Sequence, residues 1–407
     1  MKILFLTHYF PPEGNAPASR TFENCRRWVA AGHEVTVVTG VPNVPAGVVY
    51  EGYSNKLWQR EEIEGVDVVR LWTYIAANKG TAKRIANYVS YLITSLNAGL
   101  ILPRPDVIIS TSPQFFCGLS GMLVGRTRGL KRVLEIRDIW PESITAVGAM
   151  RQNPALRALE YVERFMYRSA DLVVTVGRGY RDKLIERGVA PERIEVVTNG
   201  ADLSLFQPGP ADPQLRQRLG LGERFTVAYV GTIGMAAGLQ VAVRAAQKLR
   251  DEGDDSIRIL LVGDGAERQD LLQAAEDLPA LLLPGRMAKA EIPALLRSVD
   301  GCFIHLRDTP LFKTVLPSKL FEAFAMEKPV ILGVDGDARA ILEAAEAGLY
   351  MQPEREDELI AHIRALQNDA KLCATMGANG RVAVEQTFNR DALAHDYLQI
   401  LERLHAS

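Results

Sequence analysis

The 407 residues are 47% hydrophobic and 24% charged, with 33 Gly, 21 Pro and 4 Cys. Such a length holds at least two domains, and the composition excludes coiled coil, collagen and wholesale disorder. The near-neutral total, 47 Lys+Arg against 49 Asp+Glu, gives no reason to expect nucleic acid as a partner. The halves differ, however: residues 1–200 carry 25 basic against 19 acidic side chains (+6), leaving 22 against 30 (−8) for residues 201–407. Halves of opposite sign point to different partners.

Short β-branched runs alternate with helical stretches, the pattern of α/β units with parallel sheets. The spacing predicts strands at 3–6, 35–39, 66–71, 107–111, 133–136, 172–176 and 194–197. It restarts at 225–230, 257–262, 281–283, 302–305, 330–332 and 349–351. Several are apolar throughout, as strands covered on both faces must be. Between the two sets lie Asn199-Gly200-Ala201-Asp202 and Phe206-Gln207-Pro208-Gly209-Pro210, a break rich in turn formers. The expected domains are therefore 1–205 and 206–389. A last helix, 390–407, carries Leu393, Tyr397, Leu398, Ile400, Leu401 and Leu404 at helical spacing and is expected to return to the first domain. Two such sheets bind ligands outside their strand carboxyl ends, so the expected site is the cleft between the domains.

The four cysteines are far apart in sequence and form no CxxC, which reads as buried reduced thiols. The apolar start Met1–Leu6 soon meets His8 and Pro11-Pro12 and lacks a cleavage pattern, so a cytoplasmic protein is expected. Ile85–Leu102 has no charged side chain and follows Lys79, Lys83 and Arg84. Asn87, Ser90, Thr94, Ser95, Asn97 and Gly99 dilute it, and Tyr88 and Tyr91 suit an interface. The expectation is a helix packed on its domain, with contact to an anionic membrane surface as the alternative.

Four loops after predicted strands could hold a phosphate. They are Pro11–Arg20 with Gly14 and Asn15, Gly231–Gly238 with Gly234, Gly263-Asp264-Gly265, and Leu311–Val330. Small residues let backbone amides approach a ligand, and a helix amino terminus attracts anions. The spacing GxxGxxxG and the Arg268 that follows GxG depart from a dinucleotide fingerprint, and no GxxxxGK[ST] occurs, so neither NAD nor ATP is expected. In the fourth loop Pro317-Ser318 reads as a helix start with Ser318 as cap. Lys319 then falls in the first turn, against the dipole preference, and makes sense if an anion sits there. Glu322, a turn further on, suits a ribose-like diol; a solvated Lys319–Glu322 pair is the bland alternative.

These residues resemble family 4 of the retaining glycosyltransferases over essentially the whole chain. The likeness rests on His8–Glu13, Ala31-Gly32-His33-Glu34-Val35, Val197–Asp202, Gly263-Asp264-Gly265 and Pro317–Glu322. Arg137-Asp138-Ile139-Trp140-Pro141-Glu142-Ser143 and Asp308–Thr314 resemble the O-antigen and capsule branch often labelled fucosaminyltransferase-like. The resemblance implies a GT-B fold of two Rossmann-like domains, a donor-binding second domain, an acceptor-binding first domain, and retention of configuration without a metal or other cofactor. Implied donor residues are Gly231, Gly234, Gly263, Gly265, Lys313, Thr314, Pro317, Ser318, Lys319, Leu320 and Glu322. Asp138, Arg137 and Glu142 are the catalytic candidates, and His8, Gly14, Asn15 and Arg20 the acceptor or cleft candidates.

The chain also departs from the family. Thr314 stands where a first glutamate is usual, Thr232 and Ala237 where an arginine and a lysine usually meet the diphosphate, and Arg137-Asp138 where His-Asp is usual. Lys319 and Lys313 are the expected replacements for the lost cations. The expected reaction moves an N-acetylated hexosamine or deoxyhexosamine from a UDP-sugar to a polyprenyl-diphosphate-linked or oligosaccharide acceptor. Competing readings are a nucleotide-sugar 2-epimerase and a non-catalytic sugar-nucleotide binder.

Overall fold

The structure, a computed structural model, describes residues 1–44, 47–75, 81–112, 114–139 and 154–407. The chain divides into two compact units, Met1–Thr198 with Asp391–Ser407, and Asn199–Arg390. Residues 199–205 therefore fold with the second unit, where Ala201 and Phe206 share a core with Leu320 and Phe324.

The first unit contains strands β1 (Lys2–Leu6), β2 (Glu34–Gly40), β3 (Trp58–Ile63), β4 (Val66–Leu71), β5 (Val107–Thr111), β6 (Lys131–Ile136), β7 (Leu172–Thr175) and β8 (Ile194–Val196). Among the described residues they form one sheet in the order β3-β4-β2-β1-β5-β6-β7-β8, parallel except for β3 against β4. Alternation along each strand feeds two cores. Ile3 and Phe5 pack with Trp28, Tyr397 and Leu401, while Leu4 and Leu6 pack with Tyr91, Ala98 and Val124. The last helix, Arg390–Ala406, belongs to this unit: Trp28 Nε1 donates to Ala394 O at 3.0 Å, and Tyr397 meets the Trp28 ring edge-on at 5.2 Å.

The pattern of hydrophobic runs gave no hint of β3. Its sequence, Trp-Gln-Arg-Glu-Glu-Ile, alternates exposed with half-buried positions and offers no core face. A tight turn holds it instead. Glu64 and Gly65 both take positive φ, 49° and 79°, the mirror-image geometry that matches the twist of a hairpin.

The second unit contains β9 (Phe225–Val230), β10 (Ile257–Val262), β11 (Leu281–Gly285), β12 (Gly301–His305), β13 (Val330–Gly333) and β14 (Gly348–Tyr350). Among the described residues they form an all-parallel sheet in the order β11-β10-β9-β12-β13-β14. Strand order reverses between β1 and β5 in the first unit and between β9 and β12 in the second. At such a reversal neighbouring loops leave in opposite directions and open a crevice beyond the strand carboxyl ends.

Candidate functional site

In the second unit the reversal is framed by the Gly231 loop after β9 and by the segment that leaves β12. Gly263 and Gly265 let the loop after β10 lie directly against the Gly231 loop. A Cβ on Gly263, at φ 149°, would stand 1.8 Å from Gly231 O, and one on Gly265 would stand 2.2 Å from Ile233 O. Any side chain there would force the two loops apart. Gly234 lies in the same turn, where its carbonyl accepts from Ala237 N at 2.9 Å.

Lys319 reaches this loop. Its ammonium lies 3.6 Å from the centre of the Tyr229 ring and would sit 2.7 Å from a Cβ on Gly231. The ring face favours the cation, and Tyr229 is itself held by its hydroxyl, which donates to Thr232 O at 2.8 Å. The helix carrying Lys319 runs Ser318–Ala325, as the sequence indicates, but Ser318 is its first residue and not its cap. Pro317 occupies the cap position, and no side chain caps the terminus. Proline offers no hydroxyl or amide to the opening N–H groups; Leu320 N bonds back to Pro317 O at 3.1 Å, and the rest of the first turn keeps its partial positive charge for an anion.

Three other expected donor residues have different surroundings. Lys313 is drawn away to Asp335, Nζ to Oδ2 at 3.0 Å, and that bond raises its pKa. Leu320 is wholly buried in the core beneath the helix. Thr314 turns its hydroxyl back to Leu311 O at 2.7 Å. Glu322 is half-buried on the following turn.

His305, at the end of β12, braces the same edge. Nδ1 lies 2.7 Å from Ala237 O and Nε2 accepts from Glu354 N at 2.8 Å, so the neutral tautomer with the proton on Nδ1 fits both partners. Burial lowers its pKa. It is a positioning residue that ties the end of the Gly231 loop to the strand beside it.

The carboxyl edge of the first unit is organised differently. Glu135, fully buried, accepts from Arg20 Nε at 3.3 Å and from Arg137 Nε. Burial pushes the Glu135 pKa up, but Arg137 and Arg20 more than offset this and hold it below the ordinary glutamate value. Arg20 also donates to Thr198 O and Val197 O, both at 2.8 Å. Arg137 donates to Pro17 O and Thr21 Oγ1, both at 2.9 Å. Both guanidinium groups are thus committed to an internal network, and neither faces outward to hold a pyrophosphate. The same holds for Asn15, whose side-chain oxygen caps the Ala16–Ala30 helix by accepting from Ala18 N at 2.9 Å; Gly14 beside it is exposed.

Asp138 is half-buried just beyond β6, one strand away from the reversal between β1 and β5. The Ser112 hydroxyl, just beyond β5, accepts from Arg137 N at 2.9 Å and donates to Asp138 O at 3.2 Å. His8, directly after β1, is boxed edge-on by Tyr9, Tyr88 and Tyr91 at 4.9, 5.7 and 4.9 Å. Burial lowers its pKa to about 4, and its Nδ1 has no hydrogen-bond partner. Glu142, with Trp140, Pro141 and Ser143, lies outside the described residues. Among the described residues no cluster of His, Cys, Asp and Glu has metal-binding spacing, and no helix is long and apolar enough to cross a membrane.

Two open α/β sheets, each with its own reversal of strand order, define a two-domain Rossmann-like architecture, and comparison with known proteins gives the family. Residues 15–200 match the glycosyl transferase 4-like domain and residues 212–383 the glycosyl transferases group 1 domain. The chain belongs to this family of GT-B glycosyltransferases. It is 28% identical to a protein of Escherichia coli K12 named as a colanic acid biosynthesis glycosyl transferase, WcaI, over 98% of this chain and 99% of that one. Sucrose-phosphate synthase from Thermosynechococcus elongatus shares the fold with a TM-score of 0.78 at 18% identity, covering 100% and 99% of the two chains. Anabaena HepE, solved with UDP-glucose, gives 0.73 at 19% identity over 99% and 100%.

Proposed function

We propose that the protein is a retaining, metal-independent glycosyltransferase that takes a UDP-sugar as donor and a lipid-linked saccharide as acceptor in surface-polysaccharide synthesis. The observation that carries this reading is Lys319, poised on Gly231 beside an uncapped helix start at the reversal point of the second sheet. A leaving nucleoside diphosphate needs its growing negative charge met in place, and a fixed ammonium with oriented N–H groups does so without reorganisation. The likeness to HepE, solved with UDP-glucose, supports UDP as the nucleotide. An N-acetylated hexosamine or deoxyhexosamine is the proposed sugar.

In the proposed reaction the bond from the anomeric carbon to the diphosphate oxygen breaks as the acceptor oxygen attacks from the same face. The acceptor proton passes to the departing phosphate oxygen, so the protein supplies no base. Asp138 lies at the carboxyl edge of the first unit, where its carboxylate would steady the acceptor hydroxyl or the cationic sugar. His8 stays neutral above about pH 4, and its Nδ1 is buried among Tyr9, Tyr88 and Tyr91, so it shapes this edge rather than binding the acceptor.

A lipid-linked acceptor accords with the same edge of that unit. Leu57, Trp58, Trp72, Tyr74 and Ile85 are all exposed there. They are neighbours: Trp72 N bonds Leu57 O at 3.4 Å, Trp58 pairs with Leu71, and Tyr74 is fixed by Ser90 and Asn87 on the Thr81–Ile101 helix. Trp and Tyr partition to the headgroup level of membranes, and exposed Lys56 and Lys83 nearby suit anionic lipid. We propose a cytoplasmic protein that visits the inner membrane face.

Incubation with UDP-sugars and a polyprenyl-diphosphate-linked saccharide, with products resolved by mass, tests the function. Transferred sugar is expected. Isomerised donor would mean a 2-epimerase, and unchanged donor a binding protein.

A further inference from the structure

We infer that Arg307 is the second cation of the diphosphate site and stands in for the charge that Ala237 lacks. This inference rests on the donor reading above. Arg307 lies two residues beyond β12, and its main-chain N–H donates to Ala236 O at 3.0 Å. Its side-chain stem crosses Gly238: a Cβ on that glycine, at φ 60°, would meet Arg307 Cγ at 2.9 Å. Arg307 thus touches both neighbours of Ala237. The position that carries a cation in the family is reached here from the adjacent strand.

The guanidinium is aimed, not loose. Nη2 bonds Glu267 Oε1 at 3.1 Å, and Glu267 is itself tied to the Gly231 loop through its N–H to Ile233 O at 3.1 Å. Loops from β9, β10 and β12 therefore fix one side of the group. Among the described residues its other N–H groups meet no acceptor, and the side chain is 38% exposed. A guanidinium held on one edge and open on the other matches two phosphate oxygens in its plane. Lys319 marks the start of the Gly231 loop and Arg307 its end, so two positive charges bracket the loop where Thr232 and Ala237 supply none.

The test is calorimetric titration of wild type, Arg307→Gln and Arg307→Lys with UDP and with UMP. Gln keeps the stem that packs on Gly238; Lys keeps the charge but not the planar fork. Wild type is expected to prefer UDP over UMP. Arg307→Gln should weaken UDP about ten- to a hundredfold, with a smaller loss for UMP, and Arg307→Lys should recover part of the difference. If Arg307→Gln binds UDP as wild type does, Arg307 is not a diphosphate ligand, while the donor reading through Lys319 stands. If wild type binds neither nucleotide, the UDP-donor reading falls and this inference falls with it.

Discussion

The cations of the two units, similar in type, have opposite fates. In the basic half, Arg20 and Arg137 close on the buried Glu135 and on main-chain carbonyls of their own unit. In the acidic half, Lys319 lies on a glycine loop over an aromatic ring, and Arg307 keeps one edge open. Net charge is thus a poor guide to where an anion binds. A buried Arg–Glu–Arg trio holds a fold, and a half-exposed cation beside an uncapped helix start holds a ligand.

That contrast is breakable, beginning with the largest effect. Glu135→Ala strands two buried guanidinium groups and is expected to cost about 3–5 kcal/mol of stability, measured by urea unfolding. Lys319→Ala is expected to leave the melting temperature nearly unchanged while lowering donor kcat/KM about 100- to 1000-fold. Equal loss of stability in both variants would erase the distinction.

His8 sharpens the comparison through pH. Its folded pKa of about 4 lies below the ordinary value of 6.5, so between these pH values the unfolded chain holds the extra proton. Stability should therefore fall as pH drops from about 6.5 to 4, by up to about 3 kcal/mol in all. His8→Phe, which preserves the edge-on ring packing, should blunt this acid loss in a melting series. The smallest effect belongs to Lys313→Ala, an exposed lysine whose partner is the half-buried Asp335. Donor kcat/KM should change less than about fivefold, and melting should not change measurably.

Much of the fold was readable because doubly covered strands carry continuous apolar runs, as Val107–Ile109 and Ile259–Val262 do. β3 was not, since a charged edge strand has no core face and is specified by its Glu64-Gly65 turn. In the site, Pro317-Ser318 fixed the helix start, and Lys319 in the first turn was informative because it opposes the helix dipole. Arg20 read as a cleft residue because its partner Glu135 is 115 residues away, and Arg137 read as an anion holder although Glu135 stands two residues before it, on β6. Arg307 was passed over for a similar reason: its meaning comes from Ala236 and Gly238 after β9 and Glu267 after β10, which meet it only once those strands lie in one sheet with β12. The one available signal was its place just past a buried strand, ahead of Asp308-Thr309-Pro310.

The most direct measurement is the affinity of UDP for wild type and Lys319→Ala by calorimetry at constant salt. An ammonium that meets the diphosphate predicts binding by wild type and a loss of about ten- to a hundredfold in the variant. Equal affinity in the two proteins would contradict the placement of the donor diphosphate on the Gly231 loop.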